Sequence, residues 1–487
     1  MTKSRSPLSS TSTKRRVQWH PRSDAPEAVE RQSLVVVANR LPVHRLPDSS
    51  KIGWSTSPGG LVSALKSVLN GKELCWVGWS GEAERSHQPF RHDGIYNCPV
   101  TLTQEDLEGY YSGFANRILW PLFHDAVRPP EYRRRWWKPY VEVNRRFAEA
   151  TAEVLQENGT AWIHDYHLML VPQMLRELVP SAKISFFLHI PFPPEELFAQ
   201  LPWRRELLQG VLGADVIGFQ TQLGAQNFTR LAQRYADSRG SDGLLKVDDR
   251  VTKVDCFPIS IDRSRFESVA AMPNVQKRAR ELREKIGAHK KIFLGVDRLD
   301  YTKGIDVRLT AFRTLLENDP SLCDKVAFVQ IAVPSREKVQ EYAEVRTTIE
   351  QEVGRINGTF GSPGQVPLHY HYQSLPIEEL VAFYLAADVM VVTPFRDGMN
   401  LVAKEYVTTR LDNTGLLILS EFTGAAKELN QALLVNPHDI DGLAATFRTA
   451  LEISPAEVQS RMTALRQVIQ NHDVHQWADE CLGLTRI

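Results

Sequence analysis

The chain has 487 residues, 43% of them hydrophobic and 24% charged, which suits about two or three globular domains and excludes a disordered or fibrous protein. Lys plus Arg and Asp plus Glu number 58 each, so no global field draws the chain to nucleic acid or an anionic membrane, and any phosphate site must be local. The cysteines Cys75, Cys98, Cys256, Cys323 and Cys481 form no CxxC or Cys/His cluster, which argues against structural zinc and disulfides and for a reducing, cytoplasmic setting.

Residues 1–32 are rich in Ser, Pro, Lys and Arg without the apolar run of a signal peptide, and read as a disordered basic tail. No later stretch of about 18 apolar residues predicts a bilayer span. The first strand, Leu34 to Ala38, is a continuous apolar run of the kind buried on both faces of a parallel sheet, and it ends in Asn39 and Arg40. Ser57-Pro-Gly-Gly60 then opens an apolar helix, its paired glycines permitting close backbone approach to a ligand. Tyr110 to Trp120 carries aromatics that packing alone would explain. Strands at Thr160 to His164 and Lys183 to His189 bring Asp165 and His189 to strand ends, although a lone histidine is often a satisfied core residue. A helix over Glu195 to Leu212 and a strand at Asp215 to Phe219 follow.

A charged helical region after Pro258-Ile-Ser-Ile-Asp262 sets a domain boundary near Asp262. The second series of strands is Lys291 to Val296, Val326 to Ala332, Asp388 to Thr393, Gly415 to Ser420 and Ala432 to Val435, with helices at Ser335 to Gly354 and Ile377 to Ala386. Strand–helix repetition specifies right-handed crossovers, hence an α/β fold of two doubly wound Rossmann-like sheets whose ligands lie beyond the strands' carboxyl ends. Arg298 and Lys303 follow the first strand of this series; either they pair locally with Asp300 and Asp306 or they stabilise a diphosphate. After the strand ending near Thr393, Gly398 permits a tight turn, and the amides of Met399, Asn400, Leu401 and Val402 become free donors at a helix start, an anion site needing no metal. Glu405, one turn on, either faces solvent or accepts both hydroxyls of a ribose. Asp439-Ile-Asp441 reads as a helix cap rather than a metal motif, and His369 and His371 as packing on one strand face.

Arg40 on its strand end, the Gly-Gly pair, Tyr-Tyr to Leu-Trp120, His-Asp-Tyr-His, His-Ile-Pro-Phe-Pro, Arg-Leu-Asp-Tyr-Thr-Lys-Gly, Pro-Ser-Arg336 and Arg-Asp-Gly-Met-Asn-Leu-Val-Ala-Lys-Glu-Tyr together resemble the trehalose-6-phosphate synthases, retaining glycosyltransferases of family 20. The resemblance runs from about Leu34 to Trp477. It implies a GT-B fold, with an acceptor domain over 33–262, a nucleotide-sugar domain over 263–467, and a final helix about 468–487 crossing back to the first. It further implies an acceptor-phosphate clamp of Arg40, Tyr111, Trp120 and Arg336, with Asp165 on the acceptor sugar. Gly60, Arg298, Lys303 and the backbone near Leu401 and Val402 would hold the donor diphosphate, His189 and Asp397 the donor glucose, and Glu405 the ribose. The implied reaction is transfer of glucose from a nucleotide-glucose, such as UDP-glucose, to glucose 6-phosphate, without metal or other cofactor; the sequence does not show whether the donor's base is uracil, adenine or guanine. The substrates would be the only partners apart from a compatible dimer or tetramer, with neither nucleic acid nor membrane involved. A related synthase acting on glycerol 3-phosphate, or an inactive regulatory subunit, are the alternatives. His44 to Lys51, where a loop over the acceptor would lie, does not align firmly.

Overall fold

The structure, a computed structural model, describes residues 30–45, 53–57, 62, 65, 68, 74–336 and 340–483. The basic tail up to residue 29, the His44 to Lys51 loop beyond Arg45, and Gly60 lie outside these residues. The chain divides into two units, Met1–Glu30 and Arg31–Ile487, and the elements below belong to the second.

Among the described residues twelve strands precede the boundary read near Asp262: β1 (Gln32–Arg40), β2 (Val43–Arg45), β3 (Trp54–Thr56), β4 (Cys75–Trp79), β5 (Phe90–His92), β6 (Ile95–Pro99), β7 (Leu155–His164), β8 (Lys183–Phe187), β9 (Val216–Phe219), β10 (Arg239–Ser241), β11 (Leu244–Val247) and β12 (Arg250–Cys256). All but the β2–β3 hairpin join one sheet, ordered β10-β11-β12-β9-β8-β7-β1-β4-β6-β5. Six more strands, β13 (Lys291–Arg298), β14 (Val326–Val333), β15 (Leu368–Tyr372), β16 (Val389–Val392), β17 (Leu416–Ser420) and β18 (Leu433–Val435), make a second sheet ordered β15-β14-β13-β16-β17-β18. Its strands are all parallel, and taken in chain order they run 3-2-1-4-5-6, the doubly wound arrangement. The parallel part of the first sheet repeats that order from β6 through β1 to β9 and adds β12.

In each sheet the strand order reverses beside the first strand, so crevices open between the ends of β1 and β7 and between those of β13 and β16. Arg40 and Asp165 flank the first crevice; Arg298 and the turn before Asp397 flank the second. The central strands are buried along most of their length because helices cover both faces, which is why they read as unbroken apolar runs. One apolar cluster passes from Val36 and Trp162 in the first sheet through Phe257, Ile259 and Ile261 to Ile292 and Leu294 in the second.

Two helices depart from expectation. The run Glu195 to Leu212 splits into Glu195–Phe198 and Arg204–Val211, because Pro202 removes an amide and restricts Leu201 before it. The helix expected over Ser335 to Gly354 occupies Gln340–Phe360, its approach at 337–339 being outside the described residues. Ile377–Ala386 agrees with the sequence reading. At the end of the chain, helix Val474–Cys481 crosses back to the first sheet: Trp477 packs 5.1 Å from Trp162 and 5.2 Å from Phe187, and Ser185 Oγ donates to Cys481 O at 2.7 Å. Burying so large a ring contributes ~2–3 kcal/mol, enough to hold a short helix against a distant sheet. No described helix is long and apolar enough to cross a membrane.

Candidate active site

The acceptor-side groups stand at the end of β1 and on the segment that packs above it. Arg40 ends β1 with its guanidinium 4.2 Å from the centre of the Trp79 ring, where burial lowers its pKa, and Trp76 Nε1 donates to its carbonyl at 3.0 Å. Residues Leu107–Leu119 wind as a π-helix, and Gly109 and Gly113 let Pro139 and Trp136 press against it. Tyr110 donates to Asn39 Oδ1 at 2.8 Å, while the Tyr111 ring stacks 5.8 Å from His167 and meets Trp79 edge-on at 6.0 Å.

Asp165 has a left-handed backbone (φ 75°) just after β7, and its Oδ1 accepts from the His189 amide at 3.3 Å. Burial raises its pKa to about 6, overriding the backbone hydrogen bonds from Tyr166 and His189 and the nearby Arg298 and Arg336. His189 Nε2 lies 3.1 Å from His164 Nδ1, and burial lowers the His189 pKa to about 3. The ring is therefore neutral at neutral pH, able to hydrogen-bond a hydroxyl but not to serve as an imidazolium acid.

On the other side of the cleft, Lys303 Nζ lies 2.5 Å from Asp397 Oδ2, and Asn400 Nδ2 donates to the same oxygen at 3.2 Å. Burial would raise the Asp397 pKa, but Lys303 outweighs it and the net shift is downward. Neither Asp300 nor Asp306 is the partner of Lys303. Asp300 instead accepts from Thr302 at 3.0 Å and 2.9 Å and from the Tyr342 hydroxyl at 3.0 Å. Helix Leu401–Thr409 begins at Asn400, whose side chain accepts from the Ala403 amide at 3.2 Å, leaving Leu401 and Val402 ahead of the first i→i−4 bond.

The role read for Gly398 needs correction. The left-handed residue of this turn is Asn400 (φ 79°), whereas Gly398 is required by close approach: a Cβ there would lie 2.1 Å from the His189 carbonyl oxygen. Met399 packs in the buried core behind it. Glu405 is not a solvated helix residue, since Tyr384 donates to its Oε2 at 2.8 Å and burial raises its pKa.

Arg336 joins the two sides. Its guanidinium lies 4.1 Å from the centre of the Trp120 ring, donates to the Tyr166 hydroxyl at 3.0 Å and to that of Tyr342, and sits 3.6 Å from Asp300. Arg298 approaches the same indole at 5.7 Å. Burial alone would raise the Tyr111 pKa, yet Arg336, Arg40 and Arg298 reverse it and the net shift is downward. Three guanidiniums, one at the end of β1 and two from the second half, thus converge on one small volume. Backbone strain gathers here too: Asp165, Arg336 (φ 48°) and Asn400 are all left-handed non-glycine residues, a state that persists only where surrounding structure over-determines it.

The structure gathers Arg40, Tyr111, Trp120, Asp165, Arg298 and Arg336 around one volume and sets Lys303, Asp397 and Asn400 together, while Met399 is turned into the core. The sequence reading gave no role to Asn39, His164, Tyr166, His167 or Tyr342; the first four lie within motifs already quoted, and Tyr342 carries no local signal. His371 packs 5.5 Å from Phe383, and Asp439 accepts from the Gly442 amide at 2.9 Å as a helix cap. Among the described residues no group of three or more His, Cys, Asp or Glu is arranged to hold a metal ion.

Two doubly wound sheets with facing switch-point crevices, a capped helix start and a cluster of cations between them have the architecture of GT-B glycosyltransferases. Residues 32–485 match glycosyltransferase family 20. The trehalose-6-phosphate synthase of Mycolicibacterium smegmatis is 52% identical over 455 residues, 91% of this chain and 90% of that protein. The α,α-trehalose-phosphate synthase (UDP-forming) of Burkholderia vietnamiensis superposes with a TM-score of 0.86 at 36% identity, over 93% of this chain and 96% of its own. A Burkholderia xenovorans enzyme of the same description, solved in complex with glucose 6-phosphate, gives 0.84 at 35% identity, over 92% and 98%. The chain belongs to glycosyltransferase family 20, and its similarity falls among that family's trehalose-6-phosphate synthases.

Proposed function

We propose that the enzyme transfers glucose, with retention, from UDP-glucose to glucose 6-phosphate, releasing trehalose 6-phosphate and UDP. The observation that carries this reading is the convergence of Arg40, Arg298 and Arg336 on Tyr111, a focus of positive charge suited to a sugar phosphate. Arg40, Tyr111, Trp120 and Arg336 clamp the acceptor phosphate, and Asp165 accepts from the acceptor sugar. Gly60, Arg298, Lys303 and the Leu401 and Val402 amides hold the donor diphosphate, with Gly398, Met399 and Asn400 shaping that turn. His189 and Asp397 take the donor glucose hydroxyls, and Glu405, already oriented by Tyr384, the ribose. The division of labour follows domains meeting near Asp262, with most acceptor groups on 33–262 and most donor groups on 263–467, Arg336 reaching across to the acceptor and Gly60 and His189 to the donor.

In the transfer, the acceptor hydroxyl attacks the donor's anomeric carbon on the face from which the diphosphate leaves. The C1–O bond to the acceptor forms as the C1–O bond to phosphate breaks, and the departing phosphate oxygen takes the acceptor's proton. The protein contributes alignment and charge: Arg298, Lys303 and the helix amides meet the developing negative charge. Because these groups stand where a divalent cation otherwise would, chelator should leave turnover unchanged; loss of activity in EDTA, restored by magnesium, would contradict this. UDP release from UDP-glucose tests the whole reading. Glucose 6-phosphate should support it and glycerol 3-phosphate should not; the reverse pattern would reassign the acceptor.

A further inference from the structure

Lys404 belongs to the same helix as the donor-side amides, yet it takes no part in the cleft. Its side chain is 2% exposed, and its ammonium lies 2.7 Å from Glu428 Oε2 and donates to the Ile259 carbonyl at 2.9 Å. A buried cation persists only when paired and hydrogen-bonded, so this geometry is over-determined for a residue that touches no substrate. Burial lowers its pKa even against Glu428.

The partner residue gives the contact its meaning. Ile259 lies between β12 and helix Arg263–Ala271, where the chain passes from the first sheet toward the second. Its amide donates to Gln220 Oε1 at 3.0 Å, and Gln220 directly follows β9 of the first sheet. Just before it, the Phe257 amide bonds the Phe219 carbonyl at 2.9 Å. One residue of the linker is therefore gripped from both sides, its N–H by the first half and its C=O by the helix whose first turn faces the donor diphosphate.

Resting on the function proposed above, we propose that Lys404 is a positioning residue that pins the Ile259 linker to the donor helix and so holds the two halves at the angle that assembles the acceptor clamp. The clamp needs both halves, Arg40 and Tyr111 from one and Arg336 from the other, whereas the diphosphate groups other than Gly60 lie in the second half. Releasing the pin lowers the fraction of molecules with an assembled clamp, and apparent acceptor affinity falls by that fraction while affinity for the nucleotide does not.

Two variants test this from opposite sides. Lys404→Met combined with Glu428→Gln removes the pin without leaving a buried charge, and Gln220→Met releases the linker from the first half without touching the donor helix. In both, the KM for glucose 6-phosphate should rise about tenfold while the calorimetric Kd of UDP, measured without acceptor, stays within about twofold of wild type. In wild type UDP should tighten glucose 6-phosphate binding, and in the variants that coupling should be lost. A parallel loss of UDP affinity in the Lys404 variant, with Gln220→Met unaffected, would make Lys404 a mere support for its helix and overturn the proposal. So would an unchanged acceptor KM in Gln220→Met, which also decides the matter if the double variant does not fold. Failure of the wild type to bind UDP would instead sink the donor assignment, and this inference with it.

Discussion

On the proposed function Lys303 would be shared between Asp397 and the donor diphosphate, so its value to catalysis would depend on being held before the donor arrives. Its ammonium already lies 2.5 Å from that carboxylate, and Arg308 donates to its backbone carbonyl at 2.8 Å. Removing a preorganised transition-state donor costs roughly 3–4 kcal/mol, so Lys303→Ala or Arg298→Ala should lower kcat about a hundredfold or more. Arg298 is exposed, and its variant should melt close to wild type; a kcat within a few-fold of wild type would remove both residues from the diphosphate site. Asp165 offers a separate test. Its pKa near 6 lies above the ordinary carboxylate value of about 3.9, so the fold binds this proton more tightly than the unfolded chain does. The resulting stabilisation is full below about pH 4 and is lost as pH rises through about 6, an effect of up to ~3 kcal/mol that Asp165→Asn should abolish in melting curves from pH 4 to 8. In the proposed site the ionised form would be the one that accepts a sugar hydroxyl. Wild-type kcat/KM for the acceptor should therefore fall, relative to Asp165→Asn, as pH drops through about 6; comparing the two at each pH cancels the phosphate's own titration near 6.

At the scale of elements, the two halves touch where the loop after β8 meets the turn after β16. Gly398→Ala would drive a methyl group to 2.1 Å from the His189 carbonyl and open the cleft there. Turnover should fall at least tenfold with only a modest drop in Tm, because the added Cβ meets a cleft wall rather than core packing; near-normal turnover would mean that closure at this contact is dispensable. The central strands were legible because burial on both faces leaves continuous apolar runs, and strand ends are where a doubly wound sheet keeps its chemistry, which is why Asp165, Arg298 and Asp397 could be named. Strands β4 and β6 were not, since Cys-Trp-Val-Gly-Trp and Ile-Tyr-Asn-Cys-Pro mix aromatics, Gly and Pro and mimic turns. The π-helix at Leu107–Leu119 differs from an α-helix by one residue in hydrogen-bond register, a difference no residue type announces. Partners distant in sequence stayed hidden for another reason: Lys303 and Asp397 are 94 residues apart, and only the switch point between β13 and β16 brings them together.

For the whole molecule, a net charge of zero means that the proposed recognition of a phosphorylated sugar would have to come from the local field in the cleft. Arg40, Arg298 and Arg336 supply that field from both halves, and unphosphorylated glucose has no group to meet it. Each charge-assisted hydrogen bond contributes about 1.5–3 kcal/mol, so losing two or three should weaken use of glucose by roughly a thousandfold or more relative to glucose 6-phosphate. Deleting a clamp arginine should narrow that gap by harming glucose 6-phosphate far more than glucose. Arg336→Ala tests this with a complication, because it also takes a partner from Asp300, which is fully buried, and from Tyr166 and Tyr342. Arg40→Ala is cleaner: the residue ends β1 and is exposed as a whole, its guanidinium stacking on the Trp79 ring, so the fold should be little affected. The measurement is kcat/KM for both acceptors in wild type and in each variant at two ionic strengths. The wild-type preference should shrink at high salt and in both variants, and shrink with little change in Tm only for Arg40→Ala. If the wild type uses glucose nearly as well as glucose 6-phosphate, or if Arg40→Ala and Arg336→Ala lower both acceptors equally, the cluster around Tyr111 does not read the phosphate and the assigned product is wrong.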